Sequence, residues 1–377
     1  MDIVEAVRRL IQRSALLRSS VVPRIVFGVY LAALAVFSFL RPYYNWDLVG
    51  YVGAAFRLEG MDTLKVHDET YAVLRSQVPV EAYTELCSPS DPYKSLMAGD
   101  PAQFARRLRL FSIRPLYTSI LALLHELGAP IVRATVLISI FSVIGTAIIV
   151  LLWLRQRFAV WPATVSAILL LSSARIPDLA RFSTPDAAAA FIFLAGLYML
   201  IHGGGQRAGY FVLWLSLFVR TDYVVPLLVL LAFQRYGDSL GPSLSPRRFA
   251  LLTTSALATV ILIHLVNGHF IWDEMPYGRG VLTTIRQLFL NDLFIVLPCF
   301  LGLNIITLVT CRNERGTAST FVRLSQVALV SLTARIILFP HLAERFYAVE
   351  YLLTGISFVV TRFKAGLQTT PAAACSP

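Results

Sequence analysis

Residues 21–40 read VVPRIVFGVYLAALAVFSFL, and residues 41–56 continue RPYYNWDLVGYVGAAF. The first stretch carries a single charge, Arg24, and at the rise of an α-helix it is long enough to cross about 30 Å of hydrocarbon. The second leaves that apolar run and at once sets Asp47 among aromatic and apolar neighbours. Two readings of Asp47 are open: a cap on a following helix, where a carboxylate satisfies free N–H groups, or a catalytic carboxylate at a membrane surface.

The rest of the chain repeats the pattern of the first stretch. Of its 377 residues, 56% are hydrophobic and 15% charged, with a mean hydropathy of +0.68. Soluble domains carry roughly 45–50% apolar and about 25% charged residues. The apolar excess falls in blocks at about 21–40, 131–153, 159–174, 186–201, 209–219, 223–234, 250–267, 289–310, 324–339 and 346–361. The expected fold is an all-α polytopic membrane protein of about ten transmembrane helices with a partly helical first outer loop. The first run is too long for a cleavable signal and has no small-residue cleavage site, so it counts as a span.

The net charge of +11 comes without a basic, aromatic-interleaved helix, so it reads as topology and not as nucleic-acid binding. Arg8, Arg9, Arg13, Arg18 and Arg24 place the N-terminal tail (1–20) in the cytoplasm. With the spans above, Arg155, Arg157, Arg207, Arg235, Arg247, Arg248, Arg312, Arg315, Arg323, Arg362 and Lys364 fall on the same side and outnumber the basic residues of the short outer loops. Both termini, including the tail 362–377, are then cytoplasmic, and the expected location is the inner membrane. Two segments decide this topology. Residues 114–128, RPLYTSILALLHELG, are read as an interfacial or re-entrant helix, which makes 41–130 one outer region. RTD at 220–222 is read as a turn between two short segments that keeps Arg220 and Asp222 at the outer surface, because charges at mid-membrane are costly.

Within the outer region, helices are expected over 47–60, with Gly50, Gly53 and Ala54 on one side, and over 68–78 and 101–111; CSPSDPYKS (87–95) reads as turns. The four cysteines and six histidines show no zinc spacing and no HExxH, and the chain has no phosphate-binding glycine loop.

Polar residues gather at the outer ends of the spans: Asp47, Arg57, Arg114, Arg181, Asp186, Arg220, Asp222, Asp273, Glu274, Arg279, His341, Glu344 and Arg345. Arginine forks suit phosphate, and a carboxylate can take a proton from an attacking hydroxyl. The layout resembles the GT-C superfamily of membrane glycosyltransferases, which use polyprenyl-phosphate sugars. The resemblance is carried by NWDLVGY after span one, RPLY (114–117), STPDAAAAFIFLAGLYML (183–200), LFVRTDYVVPLLVLL (217–231) and FPHLAERFYAVEY (339–351). It implies a GT-C-like domain over 21–361 that transfers a sugar from a polyprenyl-phosphate donor to a glycan or lipid-linked acceptor on the outer face. By the same resemblance, Asp47 is the general base, Arg114, Arg220 and Arg345 meet the donor phosphate, and Trp46, Tyr51, Arg57, Asp222 and His341 line the substrate site. Many members of that superfamily use a divalent metal, so the resemblance leaves one open, although no ligand cluster is visible.

Other readings stand beside these. Trp46, Tyr43 and Tyr44 fit an interfacial aromatic belt, Arg220 and Asp222 a structural ion pair, Asp186 after Pro185 a helix start, and Arg345 a snorkelling anchor. Arg335 falls within an expected span, which calls for a cavity or a partner. The rival functions are a lipid-linked sugar flippase, which would place charges near mid-membrane, and a non-catalytic subunit that binds a lipid carrier.

Overall fold

A computed structural model describes residues 21–202, 205–237, 240, 243–268, 293–310, 317–338 and 344–362. Among these the chain is all helical, with no strand beyond a single bridge between Tyr43 and Phe182. The ten apolar stretches each contain a helix: α1 (Val21–Leu40), α8 (Ile131–Arg155), α9 (Val160–Ser173), α11 (Asp186–His202), α12 (Gln206–Val219), α13 (Val224–Tyr236), α14 (Pro246–Asn267), α15 (Leu293–Thr310), α16 (Thr317–Leu338) and α17 (Ala348–Arg362). Between α1 and α8 lie six more, α2 (Asp47–Leu58), α3 (Thr63–Gln77), α4 (Val80–Leu86), α5 (Pro92–Gly99), α6 (Pro101–Ser112) and α7 (Pro115–Glu126), and a one-turn α10 (Ile176–Leu179) precedes α11.

Four helices among the described residues are long and apolar enough to cross a membrane: Val21–Leu40, Ile131–Arg155, Pro246–Asn267 and Ser319–Leu338. Their surfaces fit that reading. α1 buries only Pro23, Phe27, Leu34 and Ser38, one narrow stripe against α8 and α9, and exposes Val21, Ile25, Val29, Val36 and Leu40. α14 likewise exposes Leu251, Ile261, Leu262, Leu265 and Val266. Apolar side chains left bare on this scale need an apolar surrounding. α12 and α13, with 14 and 13 residues, span only about 20 Å each and are packed among other helices.

Close approach of helices rests on glycine at two places. A Cβ on Gly196 of α11 would lie 2.7 Å from the Leu213 backbone nitrogen of α12, and one on Gly209 of α12 would lie 2.9 Å from the Leu200 nitrogen. On α2, a Cβ on Gly53 would meet the Phe104 ring of α6 at 2.7 Å, and one on Gly50 would collide with Phe111. The small residues read on one side of this segment are the groove in which α6 lies.

The helices of the outer region differ from expectation at their starts. α3 begins at Thr63, because Asp62 accepts from the Lys65 N–H at 3.0 Å. The stretch read as turns ends in α5, because Asp91 caps the Tyr93 and Lys94 N–H groups and Pro92 suits a first helical position. α7 is 12 residues long, about 18 Å, and packs on α2, α8 and α12.

Candidate functional site

Asp47 is the first residue of α2, yet its carboxylate caps nothing: the position before the helix is Trp46, and no side chain bonds the free N–H groups. Instead Oδ2 accepts from Asn45 Nδ2 at 2.9 Å and from Arg345 Nη2 at 2.5 Å, across 298 residues of chain. Both bonds converge on one oxygen, and Oδ1 has no partner among the described residues. The side chain is 31% exposed.

From that contact a chain of alternating charges runs inward. Arg345 Nε lies 3.4 Å from Asp186 Oδ2, without hydrogen-bond geometry. Asp186 Oδ2 also accepts from Thr184 Oγ1 at 2.6 Å, and its Oδ1 pairs with Arg220 Nη1. Arg220 grips Asp222 with two parallel bonds of 2.9 and 3.0 Å. Asp222 Oδ2 accepts from Arg335 Nη2 at 2.6 Å, and Arg335 Nη1 reaches both oxygens of Glu350 at 2.9 and 3.2 Å. Four carboxylates and three guanidinium groups leave one net negative charge. Exposure of the three guanidinium groups falls inward, from 16% for Arg345 to 5% for Arg220 and 1% for Arg335.

The elements explain why these residues meet. Asp47 follows the end of α1, Asp186 opens α11, and Arg220 and Asp222 form the turn between α12 and α13. Arg335 sits in the last turn of α16, Glu350 in the first turn of α17, and Arg345 in the single 3-10 turn Glu344–Tyr347 between α16 and α17. All are helix ends at one end of the bundle, where charges avoid the middle of an apolar layer. Aromatic faces shield the guanidinium groups: Phe346 lies between Arg220 at 4.3 Å and Arg345 at 5.0 Å, and Arg335 sits between Tyr223 at 5.1 Å and Tyr347 at 5.4 Å.

Tyr51, one turn along α2 from Asp47, is buried against Phe111 and Tyr117, with the Arg114 guanidinium 5.7 Å from its ring. Burial pushes its phenol up to about 12, against the pull of Arg114, so it stays neutral at physiological pH. The Asp222 carboxyl is held well below the usual carboxylate range: burial opposes its ionisation, and Arg220 and Arg335 together outweigh burial. Around Asp47, several buried polar atoms have no hydrogen-bond partner among the described residues: Asn45 Oδ1, Trp46 Nε1, Tyr117 Oη, Ser183 Oγ and Arg345 Nε.

The residues singled out from the sequence are thus partly brought together. Asp47, Arg220, Asp222 and Arg345 belong to one chain of ion pairs, with Trp46 and Tyr51 beside it and Arg114 over Tyr51. Arg220 and Asp222 do form a turn between two short helices, but neither side chain stands open: Arg220 is buried and Asp222 part-buried, because Asp186 and Arg335 come from other helices to pair with them. Arg57 is exposed in the last turn of α2, ten residues and about 15 Å from Asp47 along the helix axis, and is not brought to the cluster. His341, Asp273, Glu274 and Arg279, and the side chain of Glu344, lie outside the described residues.

Arg335 has the partners that its place in an expected span called for. Two other residues outweigh their reading from sequence. Asp186 is a hub between two arginines and not merely a helix start. Glu350, missed altogether, had a signal: it is a lone carboxylate inside an apolar run. No group of three or more His, Cys, Asp or Glu suited to a metal occurs among the described residues. The carboxylates that would be placed to share a cation near the surface, Asp47 and Asp186, both face Arg345 instead, so this arrangement does not fit a divalent ion. Compared with known proteins, the chain matches no family model, no curated sequence and no solved structure.

Proposed function

We propose that this chain is an integral membrane glycosyltransferase of GT-C-like architecture, with about ten membrane-embedded helices and both termini in the cytoplasm of a cell with an inner membrane. It would transfer a sugar from a polyprenyl-phosphate donor to a glycan or lipid-linked acceptor at the outer face. The observation that carries this reading is Asp47: a part-exposed carboxylate at the rim of the bundle, bonded through one oxygen to Asn45 and Arg345, with its other oxygen open among the described residues. A part-exposed carboxylate with an open oxygen can accept a proton, and the Asn45 bond orients it whichever anion Arg345 holds.

The step balances as a direct displacement. The acceptor hydroxyl gives its proton to Asp47 Oδ1, its oxygen forms the new bond to the anomeric carbon, and the bond from that carbon to the phosphate oxygen breaks, releasing polyprenyl phosphate. Arg345 and Arg114, both only part-buried, are the phosphate-facing arginines of this reading. Arg220, whose donors meet Asp186 and Asp222, holds the site together.

The flippase reading is less favoured because the ion pairs gather at helix ends and not at mid-helix. The test is transfer by purified full-length protein in nanodiscs, supplied with polyprenyl-phosphate sugars. Asp47→Asn should abolish transfer while the protein stays folded and still binds the lipid phosphate. Wild-type turnover in that variant would remove Asp47 as the base. An inactive wild-type protein that binds the lipid would favour the carrier-binding subunit.

A further inference from the structure

Arg345 differs from the other arginines of the chain. Arg220 and Arg335 each hold two carboxylates at hydrogen-bonding contact and are almost wholly buried. Arg345 makes one such bond, to Asp47 Oδ2, and that is the most exposed link of the chain, at 16% and 31%. Its Nε is buried and unspent among the described residues, 3.4 Å from Asp186 but misaligned. The guanidinium is nonetheless fixed in place, stacked against Phe182 at 5.3 Å and Phe346 at 5.0 Å. It is a pre-oriented group whose one good acceptor among the described residues is a carboxylate on a different segment.

We propose that Asp47 Oδ2 occupies the anion seat of Arg345, so that a phosphate monoester binds there by displacing it, and the same exchange frees the Asp47 carboxylate. This deepens the reading given above and rests on it for the identity of the phosphate as a lipid headgroup. The physical reason is competition for one donor fork. A phosphate monoester brings more negative charge and three acceptor oxygens to Nη2, where Asp47 brings one carboxylate oxygen, while Nε stays turned to Asp186 at 3.4 Å. Stacking on Phe182 and Phe346 keeps the fork in position when its partner changes.

The consequence runs against intuition: removing the negative charge of Asp47 should strengthen anion binding through Arg345. The experiment measures binding of a polyprenyl monophosphate to full-length protein in nanodiscs, with the neutral polyprenol as control and inorganic phosphate as a parallel probe. Asp47→Asn should bind the phosphate more tightly than wild type, on the order of tenfold, the equivalent of one part-screened charge-assisted bond. In an Arg345→Gln background the gain should vanish. Plain repulsion between Asp47 and the ligand would also tighten binding in Asp47→Asn, but its gain would persist without Arg345, and that result overturns the proposal. So does a gain of nil in Asp47→Asn, or no binding of either phosphate to wild type and variant alike. The pattern with the lipid phosphate only, or with inorganic phosphate as well, supports the shared anion seat and tells a lipid site from a free-anion site. Asp47→Ser serves as a second variant, and melting temperatures show that each protein is folded. Absence of sugar transfer by the wild-type protein, with this binding pattern intact, would sink the enzymatic reading alone.

Discussion

Replacing Arg335 by Gln tests the interior half of the ion-pair chain. Arg335 and Glu350 are each about 1% exposed, and Arg335 also holds Asp222 at 2.6 Å. The substitution keeps a polar side chain but leaves Glu350 as a buried charge facing no cation among the described residues, while Asp222 retains Arg220. Breaking a buried pair from one side costs about 3–5 kcal/mol. At roughly 2 °C per kcal/mol, the response of a chain at the larger end of the usual range, the melting temperature should fall by about 6–10 °C. The assay is thermal unfolding of purified protein in one detergent, followed through a double-mutant cycle with Glu350→Gln. Because the two residues share the interaction, the double variant should lose less than the two singles together, with a coupling on the order of 2 kcal/mol. A melting temperature within about 1 °C of wild type for Arg335→Gln, or strictly additive losses, would refute the view that this pair is a closed, desolvated link.

A second prediction concerns pH. The folded Asp222 carboxyl is held below its ordinary value of 3.8, so its stabilising contribution is fully present above that value and is lost as pH falls through the lower folded value. The melting-temperature gap between wild type and Asp222→Asn should therefore be constant from about pH 5 to 8 and narrow only below about pH 4; a gap that closes near neutrality would contradict it. A third concerns packing. Gly196→Ala puts a methyl against the Leu213 backbone, which cannot yield as a side-chain tip would, so a loss of about 1–3 kcal/mol is expected by thermal unfolding. Gly128→Ala, with open space around a new methyl but a φ of +89°, should lose about 1 kcal/mol through backbone strain alone.

The sequence by itself determined where the helices lie and which residues gather at their ends. An apolar run of fixed length has one economical backbone solution when its peptide groups cannot bond water, and that constraint acts within each run. For the same local reason the turn at Arg220–Asp222 and the groove of Gly50 and Gly53 on α2 were legible. Helix starts were less so, because a cap such as Asp91 competes with a turn made of the same residue types. What only the tertiary structure decided is the pairing. Asp47 meets Arg345 across 298 residues, and Arg335 meets Asp222 across 113. A charge at a helix end has several partners open to it, and nothing local ranks them. The packing of α11, α12, α16 and α17 selects one set by burying it, since an enclosed charge must find its opposite while a solvated one need not. That is why Asp186 could read as a simple helix start and Glu350 could pass unnoticed, although together with Asp47, Arg220, Asp222, Arg335 and Arg345 they form one continuous chain of charge.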